Sequence, residues 1–165
     1  MKYVIDTNVP IVANGRSDKA GDPPASFACQ MAAVQFLGDF FQHNHIVVDT
    51  GGEVRAEYHR YLNPTGQPGV GDLFYLEVLK SHPSKIEIID LPKRDNGEYL
   101  DCPKSLIDSG FDVSDRKFVA LAKRSGGTVA HAVDRGWIIH AVDLKQNGII
   151  VNSLCGCDIN RWFDA

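Results

Sequence analysis

Tyr3-Val4-Ile5-Asp6 is the stretch that decides the fold, because it is a short apolar run that ends at an acid. A run of this length, bounded by polar residues, predicts a buried β-strand. Four later apolar runs have the same character and are predicted strands, at residues 46–48, 86–89, 128–133 and 149–154. We therefore expect a sheet of about five strands.

Segments with helical periodicity lie between these strands. Helices are predicted at about 25–43, 54–62 and 72–81, from about 114 to a glycine stop at 126–127, and around residue 162. Polar or Gly/Pro-rich stretches at 14–24, 63–69 and 92–104 are predicted loops. Strands that alternate with helices are typical of a mostly parallel sheet covered by helices on both faces.

The length and composition are those of one globular domain. The chain has 165 residues, of which 44% are apolar and 23% charged, so we expect a single domain over residues 1–165. No apolar stretch is long enough to cross a membrane, and the short run before the first acid argues against a signal peptide. We expect a cytoplasmic protein without a membrane partner, whose four cysteines are reduced thiols, at positions 29, 102, 155 and 157.

Acids follow four of the predicted strands. Asp6, Asp49, Asp90 and Asp134 each come directly after an apolar run. In open parallel sheets, sites form at the carboxyl ends of the strands. Carboxylates gathered there are tolerated when a divalent cation sits among them, and their oxygens suit Mg²⁺ and Mn²⁺. The alternative is that each Asp caps a turn or the next helix, as Asp often does after strands.

Four segments resemble the motifs of PIN domains and come in that family's order. Residues 4–9, Val-Ile-Asp-Thr-Asn-Val, resemble the opening motif, a strand that ends in Asp-x-Asn or Asp-x-Asp. Residues 53–58 are similar to the helix in which the family carries a glutamate. Residues 112–122 resemble the third motif, an acid that opens an apolar helix, and residues 132–137 resemble the last, an Asp after a strand.

The resemblance implies a three-layer α/β/α sandwich and an acidic pocket that binds one or two Mg²⁺ or Mn²⁺ ions. It implies cleavage of phosphodiester bonds, usually in RNA, with four carboxylates as catalytic and metal-binding residues: Asp6, Glu57, Asp115 and Asp134. Asn8 would support the site by orienting Asp6 or a water on the metal. Many bacterial members are toxins silenced by an antitoxin protein, and family members often form homodimers. Gly136 stands where the family often has a further acid, which puts a strict two-metal mechanism in doubt.

Two of these assignments have close competitors. Glu57 competes with Glu53, since residues four apart share one helix face. The Glu57-Tyr58 pair matches the family better, and we predict Glu57. Asp115 opens its helix, where a carboxylate also stabilises the helix dipole. If Asp112 or Ser114 caps that helix instead, Asp115 is free to bind metal.

Basic residues flank the last two motifs. The formal net charge is −4, so bulk charge does not favour nucleic acid, and a contact needs a local basic rim or bridging metal ions. Arg116, Lys117 and Arg135 are predicted to form that rim and bind the substrate's phosphates. A solvated helix face explains them equally well.

The sequence also allows two other functions. A haloacid-dehalogenase-like phosphatase also begins with a strand ending in Asp, but it usually needs a second Asp at the position that Asn8 occupies. A catalytically silent PIN-like module that binds RNA or protein fits Gly136 and the acidic balance. Zinc spacing of histidines and a nucleophile elbow are both absent from the sequence, so zinc and covalent catalysis are not predicted.

Overall fold

The structure, a computed structural model, describes residues 1–164 and contains one five-stranded sheet within them. Its strands are β1 Lys2–Ile5, β2 His45–Asp49, β3 Ile86–Ile89, β4 Thr128–His131 and β5 Val151–Ser153. They are hydrogen-bonded in the order β3-β2-β1-β4-β5, and every neighbouring pair is parallel. The parallel five-stranded sheet predicted from the sequence is confirmed.

Helices flank this sheet and give an α/β/α sandwich. They are α1 Asn8–Ala13, α2 Phe27–Gly38, α3 Phe40–His43, α4 Glu53–Tyr61, α5 Val70–Lys80, α6 Lys104–Asp108, α7 Arg116–Ser125, α8 Arg135–Ile139 and α9 Ala141–Gln146. Helix α7 packs on β1, β2 and β4, whereas α1, α2 and α5 pack on one another. Within residues 1–164, none of the helices has both the length and the apolar character that crossing a bilayer requires.

The strand order places β1 at the centre of the sheet. From β1 the chain moves outward to β2 and β3, and it then returns to the other side of β1 for β4 and β5. The direction of winding therefore reverses between β1 and β4. Ligands of open α/β sheets bind outside the carboxyl ends of the strands at such a switch point.

Several helix boundaries differ from the sequence predictions. The single helix predicted over 25–43 is two helices, because the backbone leaves helical geometry at Asp39 after Gly38. Helices α1, α6, α8 and α9 were not predicted, since helices of five or six residues are too short to show a clear apolar period. In α1, Pro10 lies in the first turn, where its missing N–H leaves no helical hydrogen bond unmade.

Two of the four strand-end acids have structural roles. The carboxylate of Asp49 accepts hydrogen bonds from the backbone N–H groups of Glu53, at 2.8 Å, and of Val54, at 2.9 Å, and so caps α4. The carboxylate of Asp90 accepts the hydroxyl of Thr50 at 2.6 Å. The capping alternative is correct for Asp49, whereas Asp90 makes a side-chain hydrogen bond and lies outside the site.

The prediction that all four cysteines are reduced is wrong for one pair. Cys29 in α2 and Cys155 after β5 form a disulfide, with their Cα atoms 4.9 Å apart, while Cys102 and Cys157 are free. The bonded residues are 126 positions apart in sequence, so only the packing of α2 beside the end of β5 brings them together. The cytoplasmic location expected from the sequence stays a prediction.

Helices α1 and α5 approach closely at a glycine. A Cβ atom on Gly71 would lie 2.0 Å from the carbonyl oxygen of Pro10, far inside van der Waals contact. The backbone N–H groups of Gly71 and Asp72 also bond the side-chain oxygen of Asn14, at 2.8 and 3.2 Å. A larger residue at Gly71 would therefore separate the two helices.

We expect Gly71→Ala to lower the free energy of unfolding by at least about 2 kcal/mol, because backbone must move to admit the methyl group. The matched control is Gly38→Ala, since a Cβ there meets no atom within 4 Å. Alanine also has the higher helix propensity, so Gly38→Ala should leave stability unchanged or raise it by up to about 1 kcal/mol. Urea denaturation of both variants measures the difference, and equal midpoints would contradict the close approach.

Candidate metal centre

Three carboxylates from separate parts of the chain converge at the switch point of the sheet. Asp6 follows β1, Asp134 follows β4, and Asp115 ends a 3₁₀ turn, Val113–Asp115, that leads into α7. One carboxylate oxygen of each residue lies within 4.8 Å of those of the other two. That span is close to the distance across the oxygen shell of a divalent ion, about 4 to 5 Å.

The pairing of β1 with β4 brings two of these acids together. Ile5 pairs with Ala130, and the N–H of Asp6 donates to the Ala130 carbonyl at 2.9 Å. The two strands therefore end at the same level of the sheet. Asp134 lies just beyond β4, where its side chain accepts the N–H of Gly136 at 2.7 Å and caps α8.

Asp115 is free because a neighbouring acid does the capping. The carboxylate of Asp112 accepts the N–H of Ser114 at 2.8 Å and its hydroxyl at 2.6 Å. The Asp115 side chain makes no capping hydrogen bond and is buried. Of the two candidates, Asp112 is the one that caps, and it caps the 3₁₀ turn that leads into α7.

Two hydrogen bonds hold the carboxylate of Asp6. One oxygen accepts the backbone N–H of Asn8 at 3.1 Å, and the other accepts the indole N–H of Trp137 at 2.7 Å. The side-chain oxygen of Asn8 accepts the N–H of Ala132 at 2.8 Å. Asn8 thus orients Asp6 through its backbone, while its side chain fastens the end of β1 to the end of β4.

Sequence reasoning missed Trp137, although it ends the last quoted motif. Its side chain is buried and stacks near His131, with ring centroids 6.0 Å apart. The available signal was the indole donor itself, since a buried Trp N–H requires an acceptor. Here that acceptor is the acid at the centre of the group.

Burial raises the pKa values of the three acids, and repulsion within the group adds to it for Asp6 and Asp115. Desolvation, then the charge of Asp134, raises the pKa of Asp6 from 3.8 to about 7. Desolvation, then the charges of Asp6 and Asp134, raises the pKa of Asp115 from 3.8 to about 9. Desolvation also raises the pKa of Asp134. Asp6 and Asp115 are buried and Asp134 is half-buried, and three such carboxylates that resist being ionised together are a donor set suited to a hard divalent cation.

Glu57 lies in the same pocket but outside the group of three. One oxygen accepts the hydroxyl of Thr7 at 2.5 Å, and the other pairs with the ammonium of Lys117. The Tyr58 hydroxyl fixes this part of α4 by donating to the Ile5 carbonyl at 2.5 Å.

The competitor Glu53 points elsewhere. Its carboxylate contacts Lys93 at 2.8 Å and the hydroxyl of Tyr99 at 3.2 Å, away from the three acids. Of the two glutamates on α4, Glu57 is therefore the one that lines the pocket. Its role as a metal ligand stays a prediction.

The predicted basic rim is wrong for two of its three residues. Arg116 is buried, donates to the Phe111 carbonyl at 3.0 Å and pairs with Glu98 at 2.6 Å. Lys117 is buried against Glu57. The whole first turn of helix α7 is buried, which could not be predicted because two of its residues are charged. Only Arg135 is exposed and lines the pocket.

Three exposed cations that sequence reasoning passed over line the pocket with Arg135. They are Arg16, Lys19 and Arg60. Arg60 had a signal, because it follows Glu57 by three residues and so shares its helix face. The pocket has a volume of about 940 Å³, and the partly exposed aromatic rings of Tyr61 and Phe163 also line it.

Comparisons with known proteins support the fold. No family model matches this chain, and no curated protein matches it either. Among solved structures, a chain in the crystal structure of VapBC2 from Rickettsia felis bound to a DNA fragment from their promoter is similar, with a TM-score of 0.50. The two chains are 16% identical, and the match covers 93% of this chain and 98% of that one. The likeness shows a PIN-like fold and confirms the fold that the motifs implied.

Stability of the metal-free protein should depend on pH through Asp6 and Asp115. Their folded pKa values, about 7 and about 9, lie above the ordinary value of 3.8. Between pH 4 and 9 the folded chain therefore holds protons that the unfolded chain has released. This contribution to stability is fully present below pH 4 and is lost as pH rises through 7 and 9. A divalent cation should reverse the trend by replacing the protons.

Thermal unfolding in EDTA at pH 5, 7 and 8.5 measures this effect as the difference in unfolding temperature between wild type and Asp115→Asn. The variant should be relatively more stable at pH 8.5 than at pH 5, and added Mg²⁺ should stabilise wild type more at the higher pH. Asp90→Asn is the control, since Asp90 is exposed and outside the pocket. A difference that does not change with pH would contradict the raised pKa values.

Trp137→Phe should raise the pKa of Asp6 further, because the indole hydrogen bond lowers it. We expect Mn²⁺ affinity at pH 7 to fall about tenfold, the loss of about one hydrogen bond to a charged group. Calorimetric titration at pH 7 and 8.5 measures this, and the deficit should shrink at the higher pH. In the control, Trp162→Phe, the lost indole bond goes to the Gly156 carbonyl, so affinity should not change.

Proposed function

We propose that this chain is a divalent-metal-dependent endoribonuclease that hydrolyses phosphodiester bonds. One observation carries the proposal: Asp6, Asp115 and Asp134 converge within 4.8 Å at the carboxyl edge of a parallel sheet, inside a pocket lined by exposed cations. The PIN-like fold and the order of the four motifs agree with it.

The three aspartates would hold Mg²⁺ or Mn²⁺, with Glu57 as the fourth acid of the pocket. When bound, such an ion supplies Lewis acidity, which acidifies water and offsets charge on the phosphate in the transition state. Trp137 and the backbone of Asn8 orient Asp6 for this task. A carboxylate of the pocket accepts the proton of the attacking water.

The exposed cations of the pocket would position the substrate. Arg16, Lys19, Arg60 and Arg135 are suited to bind phosphate oxygens on either side of the scissile bond. The half-exposed ring of Tyr61 offers a surface on which an unpaired base can stack. With a net charge of −4, the chain can engage RNA only through such local contacts.

We further propose that an antitoxin protein silences this chain. The motifs resemble those of PIN domains, many of whose bacterial members are toxins, and the fold is similar to that of a chain in the VapBC2 structure. A protein that covers the pocket would exclude RNA without altering the acids. A homodimer is compatible with this arrangement and remains a proposal.

The geometry argues against a phosphatase with an aspartyl nucleophile. A phosphatase of this kind usually needs a second acid two residues after the nucleophile, and Asn8 occupies that position. The side-chain oxygen of Asn8 accepts the N–H of Ala132 at 2.8 Å, so this residue ties two strand ends together and cannot supply the second carboxylate.

Asp6→Asn should lower the rate of Mn²⁺-dependent RNA cleavage by about a thousandfold or more, because it removes the negative charge of a metal ligand. The fold should persist, since asparagine has the same shape. The assay is cleavage of mixed RNA with Mn²⁺ and with EDTA. In cells, induced expression of wild type, but not of Asp6→Asn, should arrest growth.

Asp90→Asn is the matched control, because Asp90 also ends a strand but lies outside the pocket, and its activity should equal wild type. Equal activity of Asp6→Asn would remove Asp6 from the site. Absence of Mg²⁺ and Mn²⁺ binding at millimolar concentration would favour the silent module, and a trapped phosphoaspartate would favour the phosphatase.

A further inference from the structure

Lys117 is a buried cation inside the acidic pocket wall. The residue is 6% exposed, although lysine is almost never buried without a partner. Its ammonium pairs with Glu57, donates to the Ser114 carbonyl and lies 4.7 Å from the centroid of the Phe118 ring. These contacts hold the charge in one place, unlike the exposed cations of the pocket.

The Lys117–Glu57 pair also acts on the three aspartates. Lys117 follows Asp115 by two residues, and its ammonium bonds the carbonyl of Ser114, the residue before that acid. Glu57 accepts the hydroxyl of Thr7, the residue after Asp6, at 2.5 Å. Both members of the pair are thus close enough to the metal-binding group to change its charge balance.

The group itself offers ligands for few ions. Within residues 1–164, the residues placed to hold a cation are Asp6, Asp115 and Asp134, and Glu57 is not among them. One oxygen of Glu57 accepts the hydroxyl of Thr7, and the other pairs with the ammonium of Lys117, a positive charge that repels a cation. Position 136, two residues after Asp134, is a glycine and adds no ligand.

We propose that Lys117, paired with Glu57, is a built-in positive charge that takes the place of a second divalent ion, so that the site holds a single ion. This inference rests on the proposed function. A second divalent ion would need the carboxylate of Glu57, which the ammonium occupies, and would have to approach a fixed positive charge in a buried setting. One ion and one lysine together balance most of the charge of the four acids.

The test counts Mn²⁺ ions bound per full-length chain, by calorimetric titration and by electron paramagnetic resonance, which detects spin-coupled pairs. Wild type should bind one ion. Lys117→Met keeps the side-chain length and removes the charge, so it frees Glu57 and should bind two ions at a few millimolar Mn²⁺. Lys117→Gln, which keeps an N–H donor for the Ser114 carbonyl, should do the same and serves if the Met variant does not fold.

Two control variants separate charge from packing. Lys117→Arg keeps the charge and should bind one ion. The double variant Glu57→Gln/Lys117→Met removes both charges and should also bind one, because the ligand for the second ion is gone. One ion in both charge-removing single variants would overturn the inference.

The count for wild type separates this inference from the proposed function. A wild-type chain that binds two ions and cleaves RNA overturns the single-ion site alone. A wild-type chain that binds no ion overturns the proposed function together with the inference. One ion in wild type and two in the charge-removing variants support both the site and the role of Lys117.

Discussion

Mutual repulsion among Asp6, Asp115 and Asp134 is the constraint on which the site depends. The three carboxylates are buried or half-buried, and an oxygen of each lies within 4.8 Å of an oxygen of the other two. They cannot all be ionised unless a positive charge lies among them. The fold must therefore supply rigidity that no attraction between the acids could provide. Rigid backbone pairing supplies it for β1 and β4, and the capped turn before α7 supplies it for Asp115.

Donors around the acids offset part of this repulsion. The indole of Trp137 and the N–H of Asn8 bond Asp6, and the N–H of Gly136 bonds Asp134. Hydrogen bonds to a charged carboxylate favour ionisation, whereas burial opposes it, and burial is the larger effect for both residues. The group of acids is therefore stabilised when it binds either a proton or a metal cation.

The sequence could predict the sheet and the motif order, and the motifs selected Asp6 and Asp134, but position at a strand end could not by itself separate these two acids from Asp49 and Asp90. Asp6, Asp49, Asp90 and Asp134 look alike as strand ends. Which of them meet depends on strand order, and β1 lies beside β4 only because the chain crosses back over the sheet. Asp49 accepts the N–H groups at the start of α4, which is the capping role that the sequence offered as the alternative to a site.

The cations were harder to predict than the acids for a physical reason. Because Arg116 and Lys117 are charged, the sequence predicts that they lie on the surface. Ion pairs with Glu98 and Glu57 keep them buried instead. Those partners are distant in sequence, so the pairs could not be predicted. The disulfide between Cys29 and Cys155 escaped prediction for the same reason, since its partners meet only in the folded chain.

Buried and exposed cations are proposed to have two different roles, phosphate binding and charge balance at the acids, which cannot be told apart from the sequence alone. The exposed guanidinium groups of Arg60 and Arg135 act through water, where salt screens charge over about 10 Å. Lys117 acts at short range in a protected setting, where mobile ions do not reach it. Capture of a phosphate backbone would accordingly respond to ionic strength, while the charge balance that selects the metal would not. Under the proposed function, an exposed cation would thus bind substrate, whereas a buried one would balance the charge of the metal-binding acids.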